Sequence, residues 1–164
     1  MKIGIVSDSH GQVKRLRRGI EMLTRRGAEA IVHCGDIGKV ECLAVLAESG
    51  LPCYAVTGNM DRNVERLRDH ARDHHVHLES ETVVIPIGRG RYLAVTHGNK
   101  PEVLAGLITG GRFDYVCHGH THLKRDENFG KVRVINPGAL CHTDPFTVAL
   151  LDTDSDTLKH IEVK

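Results

Sequence analysis

Three observations predict an α/β fold in which two β-sheets pack together with helices outside. The first half of the chain alternates short β-branched runs with segments of helical periodicity. The second half carries several strand-like runs with few helices between them, the mark of a more antiparallel sheet. The 164 residues are 40% apolar and 26% charged, enough for one domain, 1–164, with a substantial core.

The elements follow in order. Lys2 to Ser7 (KIGIVS) is short and β-branched and ends in polar residues, as a buried strand does. Gln12 to Arg26 places Val13, Leu16, Ile20 and Leu23 at helical spacing, and Gly27 stops it. Glu29 to His33 and Cys53 to Thr57 are further strands; Val40 to Ser49 and Arg62 to His74 are helices, the latter more polar. Thr82–Ile87 and Tyr92–Thr96, joined by Gly88-Arg89-Gly90-Arg91, read as a hairpin. Pro101 to Thr109 is a helix with proline in its first turn. Phe113–Cys117, Val132–Ile135, Thr147–Leu151 and Leu158–Val163 complete the strands.

Composition excludes several classes. Lys plus Arg number 22 and Asp plus Glu 21, a net +1, so no global charge favours nucleic acid or a membrane surface. Five cysteines (34, 42, 53, 117, 141) with no CxxC pair point to reduced, packed thiols rather than a disulfide scaffold. The apolar run Ile3 to Val6 is too short for a signal peptide or a span, so a cytoplasmic protein is expected. No GxGxxG or P-loop motif is present. The basic residues Lys14, Arg15, Arg17, Arg18, Arg25 and Arg26 fit a solvated helix face, opposite an apolar stripe.

Histidine is the abnormal count: 12 in a chain with no Trp. Five strand ends carry metal-ligand types: Asp8-Ser9-His10, Gly35-Asp36, Gly58-Asn59, His97-Gly98 and Gly119-His120-Thr121-His122. Ligands bind beyond the carboxyl ends of strands in α/β sheets. Residues two apart on extended chain face the same side, so Asp8/His10 and His120/His122 can each aim at one point. Seven candidates (Asp8, His10, Asp36, Asn59, His97, His120, His122) exceed one metal's coordination but suit two metals sharing a carboxylate. Such pairs generate a hydroxide and clamp phosphoryl oxygens. Mixed imidazole and carboxylate ligation selects Mn, Fe, Zn, Ni or Co over Mg or Ca.

The order D-x-H…GD…GN…HG…GHxH, spanning Asp8 to His122, resembles the calcineurin-like metallophosphoesterase superfamily. The short chain, the near-N-terminal first motif and the GN-x-D form are most similar to its YfcE-type phosphodiesterase family, and Asn136-Pro137-Gly138 is similar to that family's closing turn. The resemblance implies a four-layer αββα sandwich of two mixed β-sheets flanked by helices. It implies a phosphodiesterase with one metal on Asp8, His10, Asp36 and His122 and another on Asp36, Asn59, His97 and His120. Asp36 would bridge, and a metal-bridging hydroxide would attack a small-molecule phosphoester. A homodimer is compatible with the same resemblance.

Two positions depart from the pattern. Met60 stands where many members of the superfamily carry a histidine that protonates the leaving group, and Asn99 where YfcE-type members often have histidine. A thioether donates no proton and an amide is neither acid nor base, so aryl diesters should turn over more easily than alkyl ones. Asn99 still offers a phosphate hydrogen bonds, and Arg62 offers a bidentate contact. The rival readings are a phosphomonoesterase and a non-catalytic protein-binding scaffold of the same fold. Scaffolds usually show eroded ligand positions, and none of the seven is lost here.

Overall fold

Local pattern and observed structure agree through the first half. In the computed structural model, which describes residues 1–164, β1 (Lys2–Val6), α1 (Val13–Thr24), β2 (Ala30–His33), α2 (Val40–Ala47), β3 (Cys53–Val56) and α3 (Val64–Asp73) succeed one another. α3 begins two residues later than its pattern suggests because the Asn63 side chain caps it, accepting the Arg66 N–H at 3.2 Å. Then come β4 (His77–Glu79), β5 (Thr82–Pro86), β6 (Tyr92–Thr96), α4 (Pro101–Thr109), β7 (Tyr115–Cys117), β8 (Lys124–Phe129), β9 (Val132–Pro137), β10 (Thr147–Asp152) and β11 (Thr157–Glu162).

The strands form two sheets, ordered β11-β10-β1-β2-β3-β4 and β5-β6-β7-β9-β8. β1 to β4 run parallel with β10 antiparallel to β1; β6, β7 and β9 run parallel with β5 and β8 antiparallel at the edges. Both sheets are therefore mixed. Strand alternation sorts their side chains into layers. Ile3 and Ile5 meet Ile85, Leu93, Val95 and Ile135 between the sheets, while Val6 and Ile31 meet Leu16, Leu23, Leu43 and Leu46 of the helices. On the far face Ala94, Val116 and Val134 pack against Leu104, Leu107 and Ile108 of α4. The result is the four-layer αββα sandwich; each fully buried Leu or Ile contributes ~1.5–3 kcal/mol.

Two strands escape the sequence pattern, each for a physical reason. β8 (KRDENF) is polar along its length because it is an edge strand, held to β9 by the backbone ladder and the Asp126–Arg133 ion pair rather than by burial, and its charges discourage pairing with another chain. The signal that marks it is Gly130-Lys131, a two-residue hairpin turn with Gly130 at φ +60°. β4 has three residues, too few for any periodicity, and exists because β3 offers it a parallel edge. No helix is long and apolar enough to cross a membrane. The basic residues of α1 lie on its exposed face except Arg15, half-buried over the Phe146 ring with its guanidinium donating to the Leu140 carbonyl.

Candidate metal centre

The carboxyl ends of β1, β2 and β3 in one sheet and of β6 and β7 in the other converge at one end of the sandwich. Backbone bonds lock the loops there: Asp8 N–H to Gly35 O at 3.0 Å, His10 N–H to Asp36 O at 2.9 Å and Gly119 N–H to His97 O at 3.0 Å. Two bonds tie sheet to sheet, His97 Nδ1–H to the Cys34 carbonyl at 2.8 Å and His120 N–H to Asp8 Oδ2 at 3.1 Å.

All seven sequence-nominated ligands sit at this convergence. Asp36 Oδ2 lies 3.6 Å from His10 Nε2 and 3.4 Å from His97 Nε2. Asp8 Oδ1 lies 3.2 Å from His122 Nε2. Asn59 Oδ1 is 3.0 Å from His97 Nε2, and the His97 and His120 rings touch edge to face at 5.1 Å. Two groups have ligand atoms all within 4.8 Å of one another: Asp8, His10 and His122, and Asp8, Asp36 and His97.

The donor set fits cations. His97 spends its Nδ1 proton on Cys34, so its Nε2 lone pair faces the acceptor oxygens of Asp36 and Asn59. Asp8 Oδ1 and His10 Nε2 are buried with no hydrogen-bond partner, an arrangement that costs free energy unless a positive ion fills it. Backbone strain marks the same spot. Nine non-glycine residues have positive φ, and six are Asp8, His10, Asp36, His120, His122 and His142, at 43° to 67°. Each costs about 1 kcal/mol or more, and such strain gathers where function demands it.

Electrostatics follow from burial and partners. Desolvation raises the Asp8 carboxyl above its usual range, against the opposing bond from the Ser7 hydroxyl. For Asp36 desolvation is the largest single influence, yet His97, the Met60 N–H at 2.8 Å and nearby imidazoles outweigh it and hold the carboxyl low. Burial is the largest single influence on His97 and opposes its charge, yet without a cation the ring is raised, because a proton on Nε2 would meet the Asp36 carboxylate while Nδ1–H keeps Cys34 O. Burial lowers His10. Cys34 and Cys117 are fully buried and pushed up by desolvation, packed thiols as expected.

Around the seven candidates the structure places further residues whose roles the sequence did not assign. His33 is fully buried; the Ser9 hydroxyl donates to Ile37 O, so His33 Nε2–H donates to Ser9 Oγ at 2.8 Å while Nδ1 accepts Gly35 N–H at 3.2 Å. His118 accepts from Arg125 at 3.4 Å and donates to Gly119 O at 3.0 Å. Asn136 donates to Gly119 O and Thr121 Oγ1, bracing the loop of His120 and His122, which gives the Asn-Pro-Gly turn its purpose. Asp61 accepts the N–H groups of Ile37, Gly38 and Gly58 at 2.7–3.1 Å. His142 lies edge-on to His10 at 5.2 Å and stacks on His122 at 6.2 Å. Each of His33 and His118 lies two or three residues before a candidate ligand, Asp36 and His120, and that proximity is the signal that could have found them; His142, twenty residues past His122, carries none.

Neutral His33 and His118 make the fold acid-labile. Burial is the leading cause that lowers both, His33 to about 3 and His118 to about 4, because a second ring proton would also meet a donor already in place. A depressed histidine contributes stability that is complete above the unfolded value near 6.5 and lost as pH falls below it, since only the unfolded state takes the proton. From pH 7 to 5 each histidine removes ~2 kcal/mol. We therefore expect the pH 7-to-5 loss of urea stability, measured in chelator, to shrink by ~2 kcal/mol in His118→Asn. An unchanged slope would show that His118 titrates normally.

Residues 1–156 match the calcineurin-like phosphoesterase superfamily domain. The chain belongs to that superfamily, and it is a hydrolase that cleaves phosphoesters with the help of divalent metal. It is 30% identical over 164 residues to the phosphodiesterase MJ0936 of Methanocaldococcus jannaschii, covering 98% of both chains. It is 28% identical over 172 residues to the phosphodiesterase YfcE of Escherichia coli, covering 94% of this chain and 89% of that one. The solved structure of an archaeal phosphodiesterase superimposes with a TM-score of 0.90 at 30% identity, over 99% of both chains.

Proposed function

We propose that residues 1–164 act as one domain, a cytoplasmic binuclear phosphodiesterase whose metals are of the Mn, Ni, Co, Fe or Zn type. The reading rests above all on one observation: buried Asp8 Oδ1 and His10 Nε2 have no hydrogen-bond partner, lie 4.0 Å apart and face His122 Nε2 at 3.2 Å and Asp36 Oδ2 at 3.6 Å respectively, with His97 Nε2 3.4 Å from the same Asp36 oxygen. Asp8, His10, Asp36 and His122 would hold one ion and Asp36, Asn59, His97 and His120 the other. Two such ions supply a water activated at neutral pH and a positive clamp for phosphoryl oxygens.

The chain's own residues do the rest. Cys34 O fixes the His97 tautomer, Ser7 and His120 N–H orient Asp8, and Asp61 pins three loop amides so that the ligands need no rearrangement. His142 on the open side offers an N–H to a phosphoryl oxygen. Asn99 lines a small cavity beside His97, and Arg62 lines another beside the His10 loop; both offer donors to the substrate. Met60, 48% exposed beside Asn59, supplies no proton to the leaving group, which favours esters with acidic alcohols. A small-molecule diester fits the open site, and a homodimer is the oligomer we expect.

Hydrolysis of bis-p-nitrophenyl phosphate and p-nitrophenyl phosphate, compared after chelation and after restoring Mn, Ni, Co, Zn or Mg, tests this. We expect no activity in chelator, recovery with the transition metals, and preference for the diester. A fully metallated protein that cleaves neither ester would favour the scaffold, and one that prefers the monoester would make it a phosphomonoesterase.

A further inference from the structure

Beside the His10 loop, sharing no lining residue with the Asn99 cavity, lies a second cavity of about 310 Å³, at the small end of ligand-site sizes. Gly38, Lys39, Glu41, Asp61, Arg62 and Arg66 line it. Gly38 is the shared wall: a Cβ there would come within 2.6 Å of the His10 carbonyl carbon. Asp61 spends its oxygens on the N–H groups of Ile37, Gly38 and Gly58, so this acid stiffens the wall rather than neutralising the cavity. The Lys39 stem lies across Gly11, where an added Cβ would meet its Cγ at 2.8 Å and its Cε at 3.0 Å, anchoring the ammonium beside the His10 loop.

The cations here have no partners. Like most of the 22 Lys and Arg of the chain, Lys39, Arg62 and Arg66 pair with no carboxylate, and with Asp61 committed to backbone amides they outnumber the one remaining acid of the lining, Glu41, three to one. Arg62 and Arg66 stand four apart, a like-charge spacing that repels until an anion sits between them. The Asn99 cavity is the opposite case, about 150 Å³ with its one cation, Lys100, held by Glu81 at 2.6 Å. The metal centre is thus flanked by one charge-neutral cavity and one whose cations await an anion.

We propose that the Lys39–Arg62–Arg66 cavity is a second phosphate subsite, so that the substrate is a phosphodiester whose non-leaving alcohol carries a further phosphate monoester. The proposal rests on the phosphodiesterase reading and names its substrate class. Hydrolysis adds water across the reacting phosphorus–oxygen bond, releasing the leaving alcohol and a bisphosphate product that still occupies the subsite. Guanidinium groups recognise such a dianion bidentately.

A matched pair of chromogenic esters tests it: thymidine 5′-(p-nitrophenyl phosphate) with and without a 3′-phosphate. We expect the 3′-phosphate to lower KM by about tenfold, and the preference to vanish in Arg62→Gln/Arg66→Gln but survive in Lys14→Gln/Arg18→Gln, which removes the same charge from α1. Calorimetry of thymidine 3′,5′-bisphosphate on metal-free protein gives a readout independent of turnover, with binding lost only in the first variant. If both esters turn over with equal KM, or the preference survives Arg62→Gln/Arg66→Gln, the subsite is overturned while the phosphodiesterase reading stands. If neither ester turns over with metals present, the phosphodiesterase reading fails. Calorimetry then decides the subsite: binding that needs Arg62 and Arg66 upholds it, and its absence overturns it.

Discussion

Asp36→Asn is expected to lower kcat/KM for bis-p-nitrophenyl phosphate by about a thousandfold or more, equivalent to ~4 kcal/mol of transition-state stabilisation. The carboxylate is central: its Oδ2 faces both His10 and His97, and its Oδ1 takes the Met60 N–H. An asparagine keeps the oxygen for Met60 but turns an NH₂ group, two donors and no charge, toward the place a cation would occupy. Bound metal should fall from the proposed two ions per chain to one or none, read by elemental analysis of the dialysed protein. Because the side-chain volume and the Met60 bond survive, the far-ultraviolet spectrum should not change. A fully active variant that keeps two metals would remove Asp36 from the bridging role.

Gly58→Ala should cost more than its size suggests, ~3 kcal/mol or more of stability together with about a hundredfold in activity. A Cβ on Gly58 would lie 2.1 Å from Asp36 Oδ1 and 2.4 Å from the Asp36 backbone nitrogen. The backbone atom cannot swing aside as a flexible side chain would, because Asp36 O already accepts the His10 N–H at 2.9 Å. Relief would displace the β1 and β2 loops together, and with them Asp8, His10 and Asp36. Gly106→Ala in α4 provides the contrast, with nothing within 4 Å of the added carbon, and should stabilise by ~0.5–1 kcal/mol through helix propensity. Urea midpoints and kcat/KM of the two variants check both numbers; a Gly58→Ala protein as stable and active as its parent would refute the close packing.

The convergence of the seven candidate ligands was legible because each lies within a few residues of a strand end, where hydrophobic run and polar residue adjoin in sequence as they do in space. The alternation of β1 to α3 and the β5–β6 hairpin were legible for the same reason: periodicity and turn residues are local properties, expressed over four to fifteen positions. The edge strands β4 and β8 were not. β8 reads as a polar loop until β9 presents its backbone, since pairing rather than burial makes it a strand.

The residues around the ligands lay further still from any local signal. His33 becomes a neutral, doubly bonded ring only because Ser9 is brought against it from 24 positions away, and Asp61 becomes a clamp only when three amides from two loops turn inward. His142 reaches His10 and His122 through the loop between β9 and β10, and Arg62 and Arg66 are ordinary surface cations until a cavity forms between them and Gly38. By itself the sequence determined the layers and the metal-ligand types, because those are written in short-range pattern and side-chain chemistry. The tertiary structure alone decided tautomers, orienting bonds and the charge of each flank, because those depend on groups that only folding brings within hydrogen-bond reach.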